Sequence, residues 1–124
     1  MNSMIQQAGK SSSVSPALCK QFEQKAEEIL KMGASGFGDM SVHHLSLHGK
    51  DHPYESVPAD NPLLLLLADI AARHDVPIDI HFDVVTEDIQ TPEWLLGSNN
   101  PAVLHANLPA FERLLEHNGK ARII

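Results

Sequence analysis

Carboxylates and imidazoles recur at every second position along two short stretches of this 124-residue chain. Asp79, His81 and Asp83 alternate within Val76 to Val85, and Asp39 and His43 share one parity within Gly36 to Leu47. On an extended backbone each set projects from a single face. Such donors can ligate a divalent cation or move protons. Imidazole and carboxylate suit Zn²⁺, Mn²⁺ or Fe²⁺ alike. Judged alone, His81 reads as a core histidine bonded to a neighbouring carbonyl; as a ligand, its second ring nitrogen could be oriented by Asp79 or Asp83 on the same face. Asp39 is a candidate ligand or proton handler; its plainer role is a hydrogen-bonded carboxylate inside the fold. His43 is placed with Asp39 as a catalytic candidate, while His44 points away if the strand is regular.

The elements that must position these groups follow from periodicity and caps. Ser15-Pro16 is a cap followed by proline at the first helical position, and Leu18, Phe22, Ala26, Ile29 and Leu30 follow at helical spacing. A helix over 16–32 is expected, stopped by Gly33. Asn61-Pro62 repeats the signal and opens a helix over 62–74, apolar nearly all round and so deeply buried. Asn107 is expected to cap a third helix over 108–118. Strands are expected at 36–47, at 76–85 and from Ala121 onward. The strand-to-helix links, 48–61 and 86–107, are long, and the helix-to-strand links are short. His48 and His52 fall in the first long link and Trp94 in the second, where they could wall a pocket. Residues 1–14 read as a flexible leader, disordered or strapped on, and 15–124 as the folded unit.

The order α-β-α-β-α-β favours a parallel sheet. A parallel sheet covered on both faces has apolar residues on both. The strand with Asp79, His81 and Asp83 does not, and the mouth of a β/α barrel accounts for that, because functional groups project from its strand ends. The fold class expected is α/β, a partial (β/α)₈ TIM barrel of about three βα units, since a whole barrel takes about 250 residues. A formal net charge of -7, from 9 basic and 16 acidic residues, argues against nucleic acid or an anionic membrane as partner. Cys19 is the only cysteine, which excludes an intrachain disulfide and a thiolate cluster. The opening residues lack an apolar signal region, so a soluble, cytoplasmic protein is expected unless a segment precedes them.

Two segments resemble the amidohydrolase superfamily, in particular its amidohydrolase-related metal-dependent hydrolases of the TIM-barrel type. Gly33-Ala34-Ser35-Gly36-Phe37-Gly38-Asp39 is similar to that group's G-A-x-G-[FI]-G-E strand. Asp69 through His81 is similar to its helix-then-strand stretch A-x-x-H-x-[VL]-P-[IV]-x-[IL]-H, and Asn99-Asn100-Pro101 and Phe111 to Glu116 also fit. The resemblance spans about 15–124. It implies that His81 is a metal ligand on a fifth barrel strand and Asp39 an acidic ligand on a fourth. It also implies hydrolysis of amide or ester bonds, or decarboxylation, of a small organic substrate by metal-activated water. The family's H-x-H pair, its later histidine and its late aspartate are absent from this chain, so whether the isolated chain is an enzyme stays open. The alternative is a catalytically inactive half-barrel serving as a binding or self-assembly module, with homodimerisation through its open sheet edges. A complete doubly wound domain is a third expectation, disfavoured by having only three strands.

Overall fold

The computed structural model describes residues 1–11, 13–47 and 53–124. Ser15 and Asn61 cap as their positions predict. The Ser15 hydroxyl accepts from the Leu18 N–H at 3.1 Å and opens α2 (Pro16–Lys31). The Asn61 carbonyl oxygen accepts from the Leu63 and Leu64 N–H groups at 3.0 and 3.2 Å and opens α3 (Pro62–His74). The Asn61 amide also donates to the Pro58 carbonyl at 3.0 Å. Because Leu63 and Leu64 are buried, Asn61→Ala leaves their N–H groups without an acceptor, while the Pro58 carbonyl keeps the backbone N–H of residue 61. It is expected to cost about 1–2 kcal/mol, read as a lowered urea midpoint with an unchanged slope.

The sheet is open. Its order is β2-β1-β3-β6, from β1 (Phe37–His44), β2 (Glu55–Ser56), β3 (Pro77–Phe82) and β6 (Arg122–Ile123). β1, β3 and β6 run parallel, and β2 is antiparallel to β1. The class is therefore α/β with a mixed, mostly parallel sheet that does not close into a barrel. The link expected at 48–61 contains β2. The link expected at 86–107 contains a small antiparallel pair, β4 (Ile89–Gln90) with β5 (Val103–Leu104), and a 3₁₀ turn over Glu93–Leu95. Both strands are shorter than their alternating patterns, since β1 ends at His44 and β3 at Phe82.

One side of the sheet carries the core. Leu63, Leu64, Leu67, Ile70 and Ala71 of α3 pack with Phe22 and Ala26 of α2, Leu114 of α4 (Leu108–His117), and Met40, Val42 and Ile78 of the strands. Helix-to-helix polar ties lie at the rim. Arg73 of α3 meets Glu23 and Glu27 of α2 at 3.0 and 3.3 Å. Asp69 of α3 accepts from Asn118 and pairs with His117 at the end of α4. Burial works to raise the pKa of Asp69 but is outweighed by the hydrogen bonds from Asn118 and His117, so the carboxyl sits below its ordinary range. Among the described residues no helix covers the opposite side of the sheet, where Asp39, Asp79 and His81 are exposed. A doubly wound domain needs helices on both faces, so that expectation fails.

The leader is the clearest departure from expectation. Residues 2–9 are a helix, α1 (Asn2–Gly9), and Ile5 is fully buried in the common core. Of disorder and a strap, the structure shows a strap, and a helical one. The Gln6 amide donates to the Ser41 carbonyl at 2.6 Å. Gly9 lies so close to Val57 that a β-carbon there would fall 2.3 Å from the valine Cγ1, so the approach requires glycine. With the Val57 N–H on the Val42 carbonyl at 2.8 Å, α1 and the β2 segment together occupy the outer side of β1.

Candidate functional site

The uncovered face of β1 and β3 is where the sequence-derived candidates were placed, and a backbone irregularity decides which of them arrive. Parallel pairing runs Phe37 to Ile78, Met40 to Ile80, Ser41 to His81 and His43 to Phe82. The register slips between Phe37 and Met40 and again between Ser41 and His43. At the first slip Asp39 has φ 56°, a left-handed conformation that an L-residue adopts at a cost. Asp39→Gly is expected to stabilise the fold by up to about 1 kcal/mol by removing that cost. A raised denaturation midpoint on urea titration is the check, and an unchanged or lowered one contradicts it.

The second slip exchanges the two adjacent histidines. His43 turns into the helix-covered side, where it is buried. His44 turns to the open side, and its ring lies against that of His81, centroids 3.9 Å apart at 66°. The expectation that His43 shares a face with Asp39 while His44 points away is thus reversed, because strict alternation does not survive a bulge.

Asp39, Asp79, His81 and Asp83 line a shallow hollow of about 310 Å³. Its two ends differ. Asp83 is committed to the backbone: one carboxylate oxygen accepts from the Leu45 N–H at 2.8 Å, and its carbonyl accepts from His43 and from Asn107. No hydrogen bond joins His81 to Asp79 or Asp83, so neither carboxylate orients the ring in the manner expected of them. Asp39 and Asp79 stand exposed toward the N-terminal end of the strands. The hollow therefore brings Asp39, Asp79, His81 and Asp83 onto one surface without knitting them into one hydrogen-bonded constellation.

A metal of the type implied by the resemblance needs at least three protein donors around one point. Among the described residues no group of three His, Cys, Asp or Glu side chains is so placed. The His44 and His81 rings meet on the open face, but the donors such a site needs are not supplied by the described part of this chain. No catalytic step is therefore assigned to a metal here.

The loops around the carboxyl ends are tied down. Asn100 accepts from the Ser46 N–H and donates to the Ser46 carbonyl, both at 2.8 Å, and donates to the Leu95 carbonyl at 3.0 Å. It pins the second long link against the exit of β1. Trp94, on the 3₁₀ turn of that link, is 65% exposed. His48 and His52 lie outside the described residues.

Sequence reasoning missed His44. The doublet His43-His44 carried the signal: whichever parity a strand adopts, one of two adjacent imidazoles faces each side. It also missed what Asn107 does. Asn107 stands at the start of α4, but its side chain makes no cap. Its oxygen accepts from the Val85 N–H at 2.8 Å and its amide donates to the Asp83 carbonyl at 3.0 Å, so it joins the exit of β3 to α4. No helix among the described residues is long and apolar enough to cross a membrane. Comparison with protein-family models, with curated proteins and with solved structures finds no match to this chain.

Proposed function

We propose that this chain is a segment of an amidohydrolase-like β/α barrel, and that its uncovered β1–β3 face is the inside of that barrel. The observation that carries the reading is the one-sidedness of the sheet. The three parallel strands follow one another in chain order with the whole helix layer on one side, while Asp39, Asp79, His81 and His44 occupy the other. Barrels are wound in this way, and their functional groups face inward. The assembled protein would hydrolyse an amide or ester bond, or decarboxylate, in a small organic substrate held against this face. Strands beyond those described here, from the same polypeptide or a second one, would complete the donor set that His81 and His44 begin. The cation would be Zn²⁺, Mn²⁺ or Fe²⁺, and it would supply an activated water. Divalent-metal uptake by the purified chain, compared with a variant lacking His81, tests the reading.

A specific observation favours the second reading, a binding or self-assembly module without catalysis. The outer side of β1 is already taken: β2 pairs with His43 and His44, and Gln6 holds the Ser41 carbonyl. A further barrel strand would have to displace them. β6, by contrast, pairs with β3 alone over two residues, and an open strand edge is a template for another chain. On this reading the chain associates through β6, and the mass in solution is that of a dimer.

A further inference from the structure

The imidazole that turned inward has a cavity of its own. His43 is 4% exposed, and its Nδ1 lies 2.7 Å from the Asp83 carbonyl. A carbonyl only accepts, so Nδ1 carries the ring proton and Nε2 presents a lone pair. The one polar partner of Nε2 among the described residues is the Tyr54 hydroxyl at 3.5 Å, the outer limit of a hydrogen bond. A buried acceptor left this weakly matched costs free energy unless something else meets it.

His43 lines a cavity of about 230 Å³, together with Tyr54, Ser56, His105, Asn107 and Ala110 among others. This wall lies on the helix-covered side of the sheet, away from the hollow at His81. In a chain with 16 acidic and 9 basic residues, the described part of the wall contains no carboxylate. His105, at the rim, gives its Nδ1 to Asp88 at 3.1 Å, and Asp88 is held below its ordinary range by the Ala106 N–H first and by His105 second.

Asn107 and Ala110 bring the start of α4 into the same lining. Because Asn107 spends its side chain on Val85 and Asp83, the first turn of that helix has no side-chain cap. Pro109 has no N–H, and the Phe111 N–H is satisfied by the Asn107 carbonyl at 3.3 Å. The Ala110 N–H, in the cavity lining, has no backbone acceptor among the described residues, and the helix dipole adds partial positive charge there. The cavity thus sets the His43 lone pair and, 3.5 Å from it, the Tyr54 hydroxyl in one lining with the Ala110 N–H.

We propose that this cavity binds a small hydroxy acid, whose hydroxyl donates to His43 Nε2 and whose carboxylate accepts from the adjacent Tyr54 hydroxyl and the Ala110 N–H of α4. The site is independent of the one on the open face and stands whether or not that face belongs to a barrel.

Malate and succinate differ by one hydroxyl and serve as the probes. Each is titrated into ¹³C,¹⁵N-histidine-labelled protein at constant ionic strength, with the His43 ring resonances followed by NMR. The expected result is a saturating shift of His43 with malate and binding about tenfold weaker with succinate, the loss of one hydrogen bond. His43→Gln and, where that variant does not fold, Tyr54→Phe are each expected to weaken malate about tenfold, with the far-ultraviolet spectrum of the protein unchanged. Equal binding of malate and succinate overturns the proposal. So does the absence of a His43 shift, or full retention of malate binding in Tyr54→Phe.

Discussion

Ile5→Ala lowers the unfolding free energy by about 2–5 kcal/mol, the cost of emptying a fully buried aliphatic site. That is a large share of what a domain of this size has. The effect is large because α1 does two jobs. It closes the core over α3 and β1, and it takes the outer side of β1 that would otherwise be an exposed strand edge. Urea unfolding followed by circular dichroism measures it. A cost under about 0.5 kcal/mol, the size typical of a surface substitution, would mean that the first nine residues do not dock.

The docking was partly legible beforehand. Met1, Met4, Ile5 and Ala8 fall on one side of a helical wheel, and all four meet the core. The surrounding Asn, Ser and Gln give the segment a leader's composition, which masks that spacing. The caps were plainer. Ser15-Pro16 and Asn61-Pro62 start their helices where the sequence places them, since a side-chain acceptor before proline has little else to do. Asn107 is the counter-example: the same residue type at the same position was drawn away by Val85 and Asp83, partners 22 and 24 residues distant. Spacing along a strand also predicts faces only while the ladder is regular. The left-handed Asp39 and the slip before His43 are products of pairing with β3, and nothing in Gly36 to Leu47 taken alone announces them. So the parallel α/β architecture was readable from local signals, whereas the composition of the polar face depended on a tertiary irregularity.

The second large effect concerns that face. On the proposed reading His44 and His81 both ligate the cation, which is then held only while both rings are present. His81→Ala, and equally His44→Ala, is therefore expected to reduce zinc affinity by at least about tenfold, within the range seen when a ligand's supporting group is lost. Folding should be little affected by either change. His81 is exposed and His44 only half-buried, so removing them opens no cavity in the core. The same variants leave the cavity at His43 intact, which keeps the two sites experimentally separate.

The central claim, that the uncovered strand face is a ligand-holding surface built around His44 and His81, is tested most directly by equilibrium dialysis of the purified chain against zinc, with light scattering on the same sample. The account predicts about one zinc per two chains, a second chain completing the shell, falling to background in His81→Ala at unchanged fold. Zinc uptake that is the same with and without His81, or no uptake by either protein, would contradict it and leave self-assembly through β6 as the better description of this face.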